Sequence, residues 1–343
     1  MKSLELTPPV PPMEAKSVDE IPTGDEWQYE PKWDGFRCVA FRDGDEIYLQ
    51  SKAGQPLARY FPDVVTALAQ VSARQFVLDG ELVIPVNGAL VFDELQLRLH
   101  PAASRVQKLA AAHPAMMVVF DLLADETGKS LLGLPLRERR KQLEAFASQH
   151  LNAKAAIHLS PATTKLTTAK KWFDKVGGDL DGVIAKQIDT AYASGERTAM
   201  LKVKQIRTVD CVVGGFRYAS NGPVLGSLLL GLYDDAGLLH HVGFTSGFKA
   251  SERKELTQRF EALKRPPGFT GNAPGGPSRW STERSGEWEP LDPVTVVEVT
   301  YDHFTGGRFR HGTKIVRYRP DKAPRQCTID QVEGREGKSL ALL

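Results

Sequence analysis

Apolar and polar residues alternate in short runs from Trp27 onward, and the period of the alternation changes several times along the chain. A period of two indicates a strand, and apolar residues that recur every three or four positions indicate a helix. Residues 36–51 predict two strands joined at Asp43-Gly44, a dipeptide that favours a tight turn. The pattern predicts further strands over 76–85, 116–123, 181–186 and 199–204, and helices over 62–71, 137–149 and 167–176.

The C-terminal part of the chain has the pattern of a β protein. Its predicted elements are three strands within 208–246, a helix over about 251–264, and strands over 294–304 and 314–320. Five strands with one helix predict a small barrel of the OB type. We therefore expect two domains with a boundary near 205–208: a mixed α/β (α+β) domain over residues 1–205 and an OB-fold β-barrel over residues 206–343.

The composition, 41% hydrophobic and 25% charged, is that of a globular protein, and the length of 343 residues predicts two or three domains. No run approaches the roughly 18 apolar residues that span a bilayer, so we expect no membrane partner. The three cysteines are far apart and odd in number, which argues against a disulfide framework and favours a reducing cytoplasm. The N-terminal residues lack the apolar core of a secretory signal.

Charge is nearly balanced over the whole chain, at +2, but it is unevenly distributed. Residues 305–325 contain seven lysines and arginines and one acid. A basic cluster of this density is typical of a surface that binds phosphate groups, although a solvated basic strand has the same composition. The cluster makes a nucleic acid or a polyphosphate a candidate partner of the predicted barrel.

Two carboxylates share one face of the strand predicted over 76–85. Asp79 and Glu81 are two residues apart, so both project to the same side of an otherwise apolar strand. Like charges at that distance repel each other unless a cation lies beside them. A divalent cation such as Mg²⁺, which prefers oxygen ligands, would meet this need. A half-exposed sheet face is the alternative interpretation.

Several lysines are placed so that they complement these carboxylates. Lys202 and Lys204 share one face of their strand, and Lys32 and Asp34 share one side of an extended segment that ends at Gly35. A lysine amine is a nucleophile only in its neutral form, which burial or nearby positive charge favours. Lys202, Lys204 and a metal could therefore activate Lys32. Each signal taken alone is also typical of an exposed strand or turn.

The order of these segments resembles the motifs of the covalent nucleotidyltransferases. Residues 32–37 resemble the nucleophile motif K-x-D-G-x-R. Six further segments resemble the remaining motifs of the family in the same order along the chain. They are residues 51–54, 79–81, 119–121, 181–186, 201–204 and 317–322. The resemblance extends from about residue 28 to residue 330. Within the superfamily the chain is most similar to the ATP-dependent DNA ligases of bacteria, namely ligase C and the ligase domain of ligase D.

The resemblance implies an enzyme that seals nicks in DNA by joining a 5′-phosphate to a 3′-hydroxyl. It makes Lys32 the nucleophile that becomes lysyl-AMP, with ATP as the nucleotide. It places Lys202 and Lys204 at the α-phosphate. It also implies that divalent metal, Mg²⁺ or Mn²⁺, is held by Asp34, Glu81 and Asp181. The first domain would then be an adenylation (nucleotidyltransferase) domain.

Further residues are implied to bind ATP. Phe120 and Val183 would sandwich adenine, the Glu30 backbone would read the adenine edge, and Arg37 would lie at the ribose. The other residues implied at the nucleotide are Lys52, Glu81, Lys186, Arg319, Asp321 and Lys322. The last three would close over pyrophosphate during the first step, which implies domain movement. Asp181 stands where the family often has Glu, and Lys52 where it commonly has Arg.

The implied macromolecular partner is nicked double-stranded DNA, in DNA repair and recombination, with repair proteins as further partners. The implied protein is a monomer located in the cytoplasm, at the bacterial nucleoid. Two alternatives share most of the motifs, an RNA ligase and an mRNA capping enzyme that uses GTP. A third alternative, a non-catalytic OB-fold nucleic-acid binder, leaves the lysine and carboxylate pattern unexplained.

Overall fold

The turn predicted at Asp43-Gly44 joins a long hairpin in the structure, a computed structural model that describes residues 1–151, 156–175, 180–275, 286–332 and 339–343. The two strands of the hairpin are β3 (Phe36–Asp43) and β4 (Glu46–Ser51). Gly44 has φ +65°, in the left-handed region that glycine adopts without steric cost. The predicted hairpin is therefore confirmed, and the backbone conformation of its turn explains why a glycine occupies position 44.

The described residues group into two units. The first unit comprises Met1–Gln205 together with residues 339–343, and the second comprises residues 206–332. The C-terminal end thus packs with the first unit, where Leu340, Leu342 and Leu343 lie against an apolar cluster that includes Trp27.

Two sheets form the first unit. Besides β3 and β4, their strands are β1 (Lys16–Val18), β2 (Trp27–Trp33), β5 (Gln75–Val83), β8 (Met116–Ala124), β9 (Ile157–Leu159), β10 (Leu180–Gln187) and β11 (Met200–Lys204). A separate small hairpin is formed by β6 (Pro85–Val86) and β7 (Ala89–Leu90). The order is β4-β3-β5-β8-β9 in one sheet and β1-β11-β10-β2 in the other. All pairs are antiparallel except β1 with β11 and β8 with β9.

Helices cover the sheets on the sides that bear apolar residues. The helices of the first unit are α1 (Pro62–Ala69), α2 (Phe92–Arg98), α3 (Ala103–Ala112), α4 (Leu136–His150) and α5 (Leu166–Lys175). In α4 the buried residues Leu136, Arg139, Leu143 and Phe146 follow the three-to-four spacing of one helix face. Leu143 and Phe146 join the main core of the five-stranded sheet, and Trp172 of α5 joins the core of the four-stranded sheet.

The second unit is mostly β structure. Its elements are β12 (Arg207–Tyr218), β13 (Leu225–Tyr233), β14 (Leu239–Thr245), α6 (Arg253–Glu261), β15 (Glu289–Pro290), β16 (Val296–Tyr301), β17 (Phe304–Thr305), β18 (Arg308–Phe309) and β19 (Lys314–Tyr318). The main sheet has the order β14-β13-β12-β16-β19. Phe216 and Phe260 are fully buried in its core.

The predicted barrel is not continuously hydrogen-bonded. Among the described residues, β14 meets the residue that precedes β19 through an isolated parallel bridge between Thr245 and Thr313, not through a ladder. The sheet therefore does not close into a complete barrel.

The helices predicted near 62–71, 137–149 and 251–264 are confirmed as α1, α4 and α6. The helix predicted over 167–176 is confirmed as α5 up to Lys175, and residue 176 lies outside the described residues. Helices α2 and α3 were not predicted, because each is short and α3 has a narrow buried face made by Val106 and Ala110. No helix within the described ranges combines the length and apolarity needed to cross a membrane.

Candidate active site

A cavity of about 170 Å³ opens in the first unit, lined by residues from both sheets and from the N-terminal segment. An engineered cavity of about 150 Å³ admits benzene, so this one has room for a flat aromatic ring. The sequence-predicted residues that line it are Glu30, Lys32, Arg37, Lys52, Glu81, Phe120, Lys186 and Lys202. Asp34, Asp181 and Lys204 lie beside Lys32 without lining the cavity.

A register shift in β10 brings the charged residues to one face. Directly paired residues of neighbouring strands share a face. Lys32 of β2 pairs with Gly182, and Gly182 pairs with Lys204 of β11. A bulge between Leu180 and Gly182 inserts Asp181 as an extra residue beside this row. The bulge therefore delivers an acid to a face that otherwise carries lysines.

Gly182 is required at this bulge for two reasons. Its φ is +140°, a conformation that residues with a side chain rarely adopt. A Cβ at this position would also lie 1.9 Å from the Val203 carbonyl oxygen. The close approach of β10 and β11 that aligns Asp181 with the lysines therefore depends on the absence of a side chain.

Asp181 is the centre of the charged cluster. Its carboxylate contacts the Lys32 ammonium group directly and lies 3.4 Å from Lys204 Nζ, and its side chain is 5% exposed. Burial, followed by the charges of Lys32 and Lys204, lowers the pKa of Lys202. The predicted grouping of Lys32, Lys202 and Lys204 is thus present, with one acid holding two of them.

Two of the three predicted metal ligands lie close together, and the third, Glu81, is affected by the charge of Asp34. Carboxylate oxygens of Asp34 and Asp181 are within 4.8 Å of each other. Burial raises the pKa of Glu81 to about 7, and the negative charge of Asp34 contributes to the increase. Crowded carboxylate oxygens are the donor set that a hard divalent cation prefers. The residues present therefore fit Mg²⁺ or Mn²⁺.

Asp79, the other acid on the strand of Glu81, has a different partner. It is fully buried and accepts two 2.6 Å hydrogen bonds from the Arg37 guanidinium. The cation that balances Asp79 is therefore an arginine, which corrects the expectation that one metal would balance both Asp79 and Glu81. A bidentate pair of this kind also fixes the plane of the guanidinium.

Tyr192 completes this buried group, although the sequence did not single it out. Its hydroxyl donates a 2.5 Å hydrogen bond to Asp79 Oδ2 and accepts a 2.9 Å bond from the Met13 backbone N–H. Burial and then the Asp79 charge raise the pKa of Tyr192 well above its ordinary value, so the hydroxyl keeps its proton. Tyr192 therefore connects the Arg37–Asp79 pair to the N-terminal segment.

Phe120 lies at the cavity with cations over its ring. The Arg37 guanidinium carbon and Lys186 Nζ are each 4.6 Å from the ring centroid. Lys186 in turn pairs with Glu30 at 2.8 Å, and both side chains are 3% exposed. Gln28 Nε2 donates a 2.8 Å hydrogen bond to Glu30 as well. Side-chain bonds thus engage the Glu30 carboxylate, in addition to the backbone role predicted for this residue.

Val183 does not lie where the adenine sandwich requires it. It is fully buried in the core behind the four-stranded sheet, and the neighbouring Ile184 lines the cavity instead. The reason is the alternation of β10, in which Ile184 and Lys186 share the face that lines the cavity. The buried position of Val183 therefore does not support its predicted contact with adenine.

The N-terminal segment forms one wall of the cavity, which the sequence did not indicate. Residues 12–15 line it, and Gln50 holds the segment through hydrogen bonds of 2.8 and 2.7 Å to Val10. Glu14 pairs at the rim with Lys52 at 3.0 Å and with Arg197 at 2.8 Å. The proline-rich start of the chain is therefore part of the site.

The predicted residues of the second unit form a separate cluster. Arg319 pairs with Asp321 at 2.8 Å and with Asp210 at 3.0 Å, and Lys322 pairs with Asp210 at 2.8 Å. The hydrogen bond from the Arg319 side chain, with a smaller contribution from its charge, lowers the pKa of Asp321 to about 2. Asp210 was not predicted, since a lone aspartate at the start of a strand has no distinctive spacing.

Comparison with known proteins gives full-length matches. Residues 12–204 match the family described as ATP dependent DNA ligase domain, and residues 221–322 match ATP dependent DNA ligase C terminal region. The chain is 45% identical to DNA ligase C2 of Mycolicibacterium smegmatis, with 96% of each covered. It is 42% identical to DNA ligase C of Mycobacterium tuberculosis, with 96% of this chain and 95% of that protein covered.

A solved structure of a Lig E DNA ligase has a similar fold. Its TM-score is 0.54 at 16% identity, and the match covers 90% of this chain and 98% of that one. Together with the family matches, this confirms the predicted fold class of a nucleotidyltransferase domain followed by an OB-like domain.

Proposed function

The chain belongs to the family of ATP-dependent DNA ligases, and from that membership we propose that Lys32 is the residue that takes up AMP covalently. The enzyme uses ATP to join DNA ends at nicks. The observation that supports Lys32 is its position at the cavity among Asp181, Lys202 and Lys204.

In the first step the Lys32 amine attacks the α-phosphorus of ATP. A nitrogen–phosphorus bond forms, the bond to the β-phosphate oxygen breaks, pyrophosphate leaves with the electron pair, and the amine loses a proton. Asp181 orients the amine, and Lys202 and Lys204 stabilise the charge that develops on the phosphate oxygens. Phosphoryl transfer depends mainly on such positioning and electrostatic stabilisation.

Asp34, Glu81 and Asp181 would hold the divalent cation, Mg²⁺ or Mn²⁺. When bound, the cation supplies positive charge beside the phosphate oxygens. It would also favour the ionised form of Glu81, whose pKa burial raises to about 7.

The adenine ring would occupy the apolar part of the cavity against Phe120, with Ile184 on the strand that also carries Lys186. Glu30 would contact the edge of the base, and Arg37 and Lys52 would lie toward the ribose and phosphates. Aromatic stacking of this kind tolerates small shifts of the ring, whereas the Glu30 contact would select its identity.

In the second step a 5′-phosphate oxygen at the nick attacks the lysyl-AMP phosphorus, and the nitrogen–phosphorus bond breaks. In the third step the 3′-hydroxyl attacks the activated 5′-phosphorus, a phosphodiester forms and AMP leaves. Arg319 and Lys322 would serve the first step by binding the pyrophosphate, with Asp321 orienting the Arg319 guanidinium through their hydrogen bonds. The basic residues of 305–325 would contact the DNA backbone.

Nicked double-stranded DNA as substrate places the protein in DNA repair and recombination, alongside repair proteins. We further infer that the protein works in the cytoplasm at the nucleoid, because its DNA substrate is found there. That it is a monomer remains a prediction from the family resemblance.

The test is the mass of the intact chain after incubation with ATP and Mg²⁺. Wild type should gain one AMP, and Lys32→Ala should gain none because the attacking amine is absent. Lys171→Ala is the matched control and should gain AMP as wild type does. An adduct that persists in Lys32→Ala would refute the assignment.

Parallel incubation with GTP separates a ligase from a capping enzyme, since the proposal expects no GMP adduct. Sealing is then measured on nicks flanked by DNA or by RNA. Sealing of DNA nicks supports the proposal, and activity confined to RNA-flanked nicks contradicts it.

A further inference from the structure

Asp210 accepts hydrogen bonds from two cations assigned above to the pyrophosphate. Arg319 Nη1 lies 3.0 and 3.1 Å from its two carboxylate oxygens, and Lys322 Nζ lies 2.8 Å from Oδ2. Asp210 belongs to β12 and is 8% exposed, whereas the cations follow β19, 109 and 112 residues later. A buried acid of one strand thus fixes two side chains supplied by a distant segment.

Asp321 and Asp210 accept hydrogen bonds from different nitrogens of the Arg319 guanidinium. Asp321 takes Nε and Nη2 at 3.0 and 2.8 Å, and Asp210 takes Nη1, so the plane of the guanidinium is set from two sides. Asp321 is 63% exposed, whereas the Asp210 side chain is 11% exposed. Lys322 pairs with Asp210 alone among the described ion pairs. Asp210 is therefore the inner anchor for both cations.

The anchor is itself held in place. Gln331 accepts a 3.4 Å hydrogen bond from the Asp210 backbone N–H and donates a 3.3 Å bond to its carbonyl oxygen. The Arg319 backbone N–H donates a 2.9 Å bond to the Val296 carbonyl of β16. Both ends of the pair are thus fixed to the sheet.

We propose that Asp210 is a positioning residue for the first nucleotidyl transfer, in which it holds Arg319 and Lys322 in one arrangement for the pyrophosphate. Long cationic side chains lose rotamer freedom when they bind an anion. A carboxylate that has already ordered them removes that loss from the binding step. The inference rests on the role proposed above for Arg319 and Lys322.

The experiment compares two reactions of the full chain with Asp210→Asn, which keeps the shape and removes the charge. The first reaction is formation of lysyl-AMP from ATP. The second is sealing of a nick whose 5′ end already carries AMP, started with AMP-free enzyme, which bypasses pyrophosphate. We expect adenylylation to slow at least about tenfold, and sealing of the activated nick to stay within about twofold of wild type.

Glu298→Gln is the matched control. Glu298 is the direct cross-strand partner of Asp210 on β16, but its hydrogen bond, at 2.6 Å, comes from Arg317. The control removes the same charge from the neighbouring position and should leave adenylylation within about twofold of wild type. A tenfold loss in this control as well would show that net charge alone, rather than the bonds of Asp210, is responsible.

Asp210→Glu restores the charge on a longer side chain and should recover part of the adenylylation rate. If Asp210→Asn does not fold, this variant carries the test, with slower adenylylation and preserved sealing of the activated nick expected. Equal losses in both reactions, or no loss in either, overturn the inference. If wild type itself takes up no AMP, the proposed function fails instead.

Discussion

Asp181 in the first unit and Asp210 in the second form the same kind of arrangement, in which a nearly buried aspartate pairs with two cations. The partners differ. Asp181 pairs with two lysines, whose ammonium groups are point charges that can turn to another anion. Asp210 pairs with an arginine, whose planar fork engages two carboxylates at once. The first arrangement suits a nucleophile that must be released, and the second suits a fixed anion clamp.

The largest effect is expected from Asp181→Asn. This change removes the partner of Lys32 and Lys204 and one proposed metal ligand, so lysyl-AMP formation should fall by roughly 10²–10³-fold. Unlike Asp210→Asn, it should also impair sealing of a nick that already carries AMP, because Asp181 lies beside the cavity that would hold AMP in all three steps. Single-turnover rates of both reactions measure this.

Asp189→Asn is a suitable control, since Asp189 is 63% exposed and pairs with Arg137. Its rates should match wild type. Normal sealing of the activated nick by Asp181→Asn would contradict the distinction between the two aspartates.

The next effect concerns stability and the burial of charge around the cavity. Glu30→Gln leaves Lys186 without its carboxylate at a site where both side chains are 3% exposed, and should cost about 3 kcal/mol of unfolding free energy. Glu14→Gln at the rim, where the partner Lys52 is 59% exposed, should cost less than about 1 kcal/mol. Urea unfolding of each variant measures the difference. Equal losses of unfolding free energy in Glu30→Gln and Glu14→Gln would show that burial does not determine the contribution of these ion pairs.

The smallest effect, counted per pH unit, is a loss of stability in acid that His241 of the second unit causes. Burial, then the charges of Arg308 and Arg217, lowers the pKa of His241 in the second unit to about 3. Above pH 6.5 the residue is neutral in both folded and unfolded chains. As pH falls from 6.5 toward 3, only the unfolded chain takes up the proton, so stability drops by up to about 1.4 kcal/mol per pH unit.

His241→Phe should remove that slope, because the ring packs edge-on against Phe269 with centroids 5.4 Å apart and a phenyl ring can do the same. His240→Phe, at the neighbouring and less buried position, should retain it. Unfolding free energy measured between pH 7 and pH 4 gives the result. An unchanged slope in His241→Phe would refute the assignment.

The strands and their charged faces could be predicted because strand alternation is regular. Lys202 and Lys204 could be placed on one face of their strand from spacing alone, and the hairpin at Gly44 from a two-residue signal, whereas the grouping of Lys32 with them followed from the family resemblance. The bulge at Asp181 has no comparable signal, because it depends on the approach of β11 to Gly182. The sequence pattern therefore does not reveal that Asp181 lies beside Lys32 and Lys204 while Val183 is buried in the core.

Residues whose hydrogen-bond partners are far away in the sequence could not be predicted. Tyr192 meets Asp79 across 113 positions, and Asp210 meets Arg319 across 109. Neither residue has a motif spacing, and each acquires its role only from strand order. The cavity wall made by residues 12–15 is a further example. A proline-rich polar segment predicts an extended chain on the surface, and its sequence does not show which part of the protein it contacts.

That wall also bears on how the protein is made. Strand β1 pairs with β11 in parallel, Lys16 opposite Leu201, so β1 has no partner strand in the sheet until the segment around Leu201 has been synthesised. The nucleotide pocket is consequently among the last parts of the adenylation domain to be assembled during synthesis. Nascent chains stalled before Lys204 should be unable to retain ATP, however much of their five-stranded sheet has already formed.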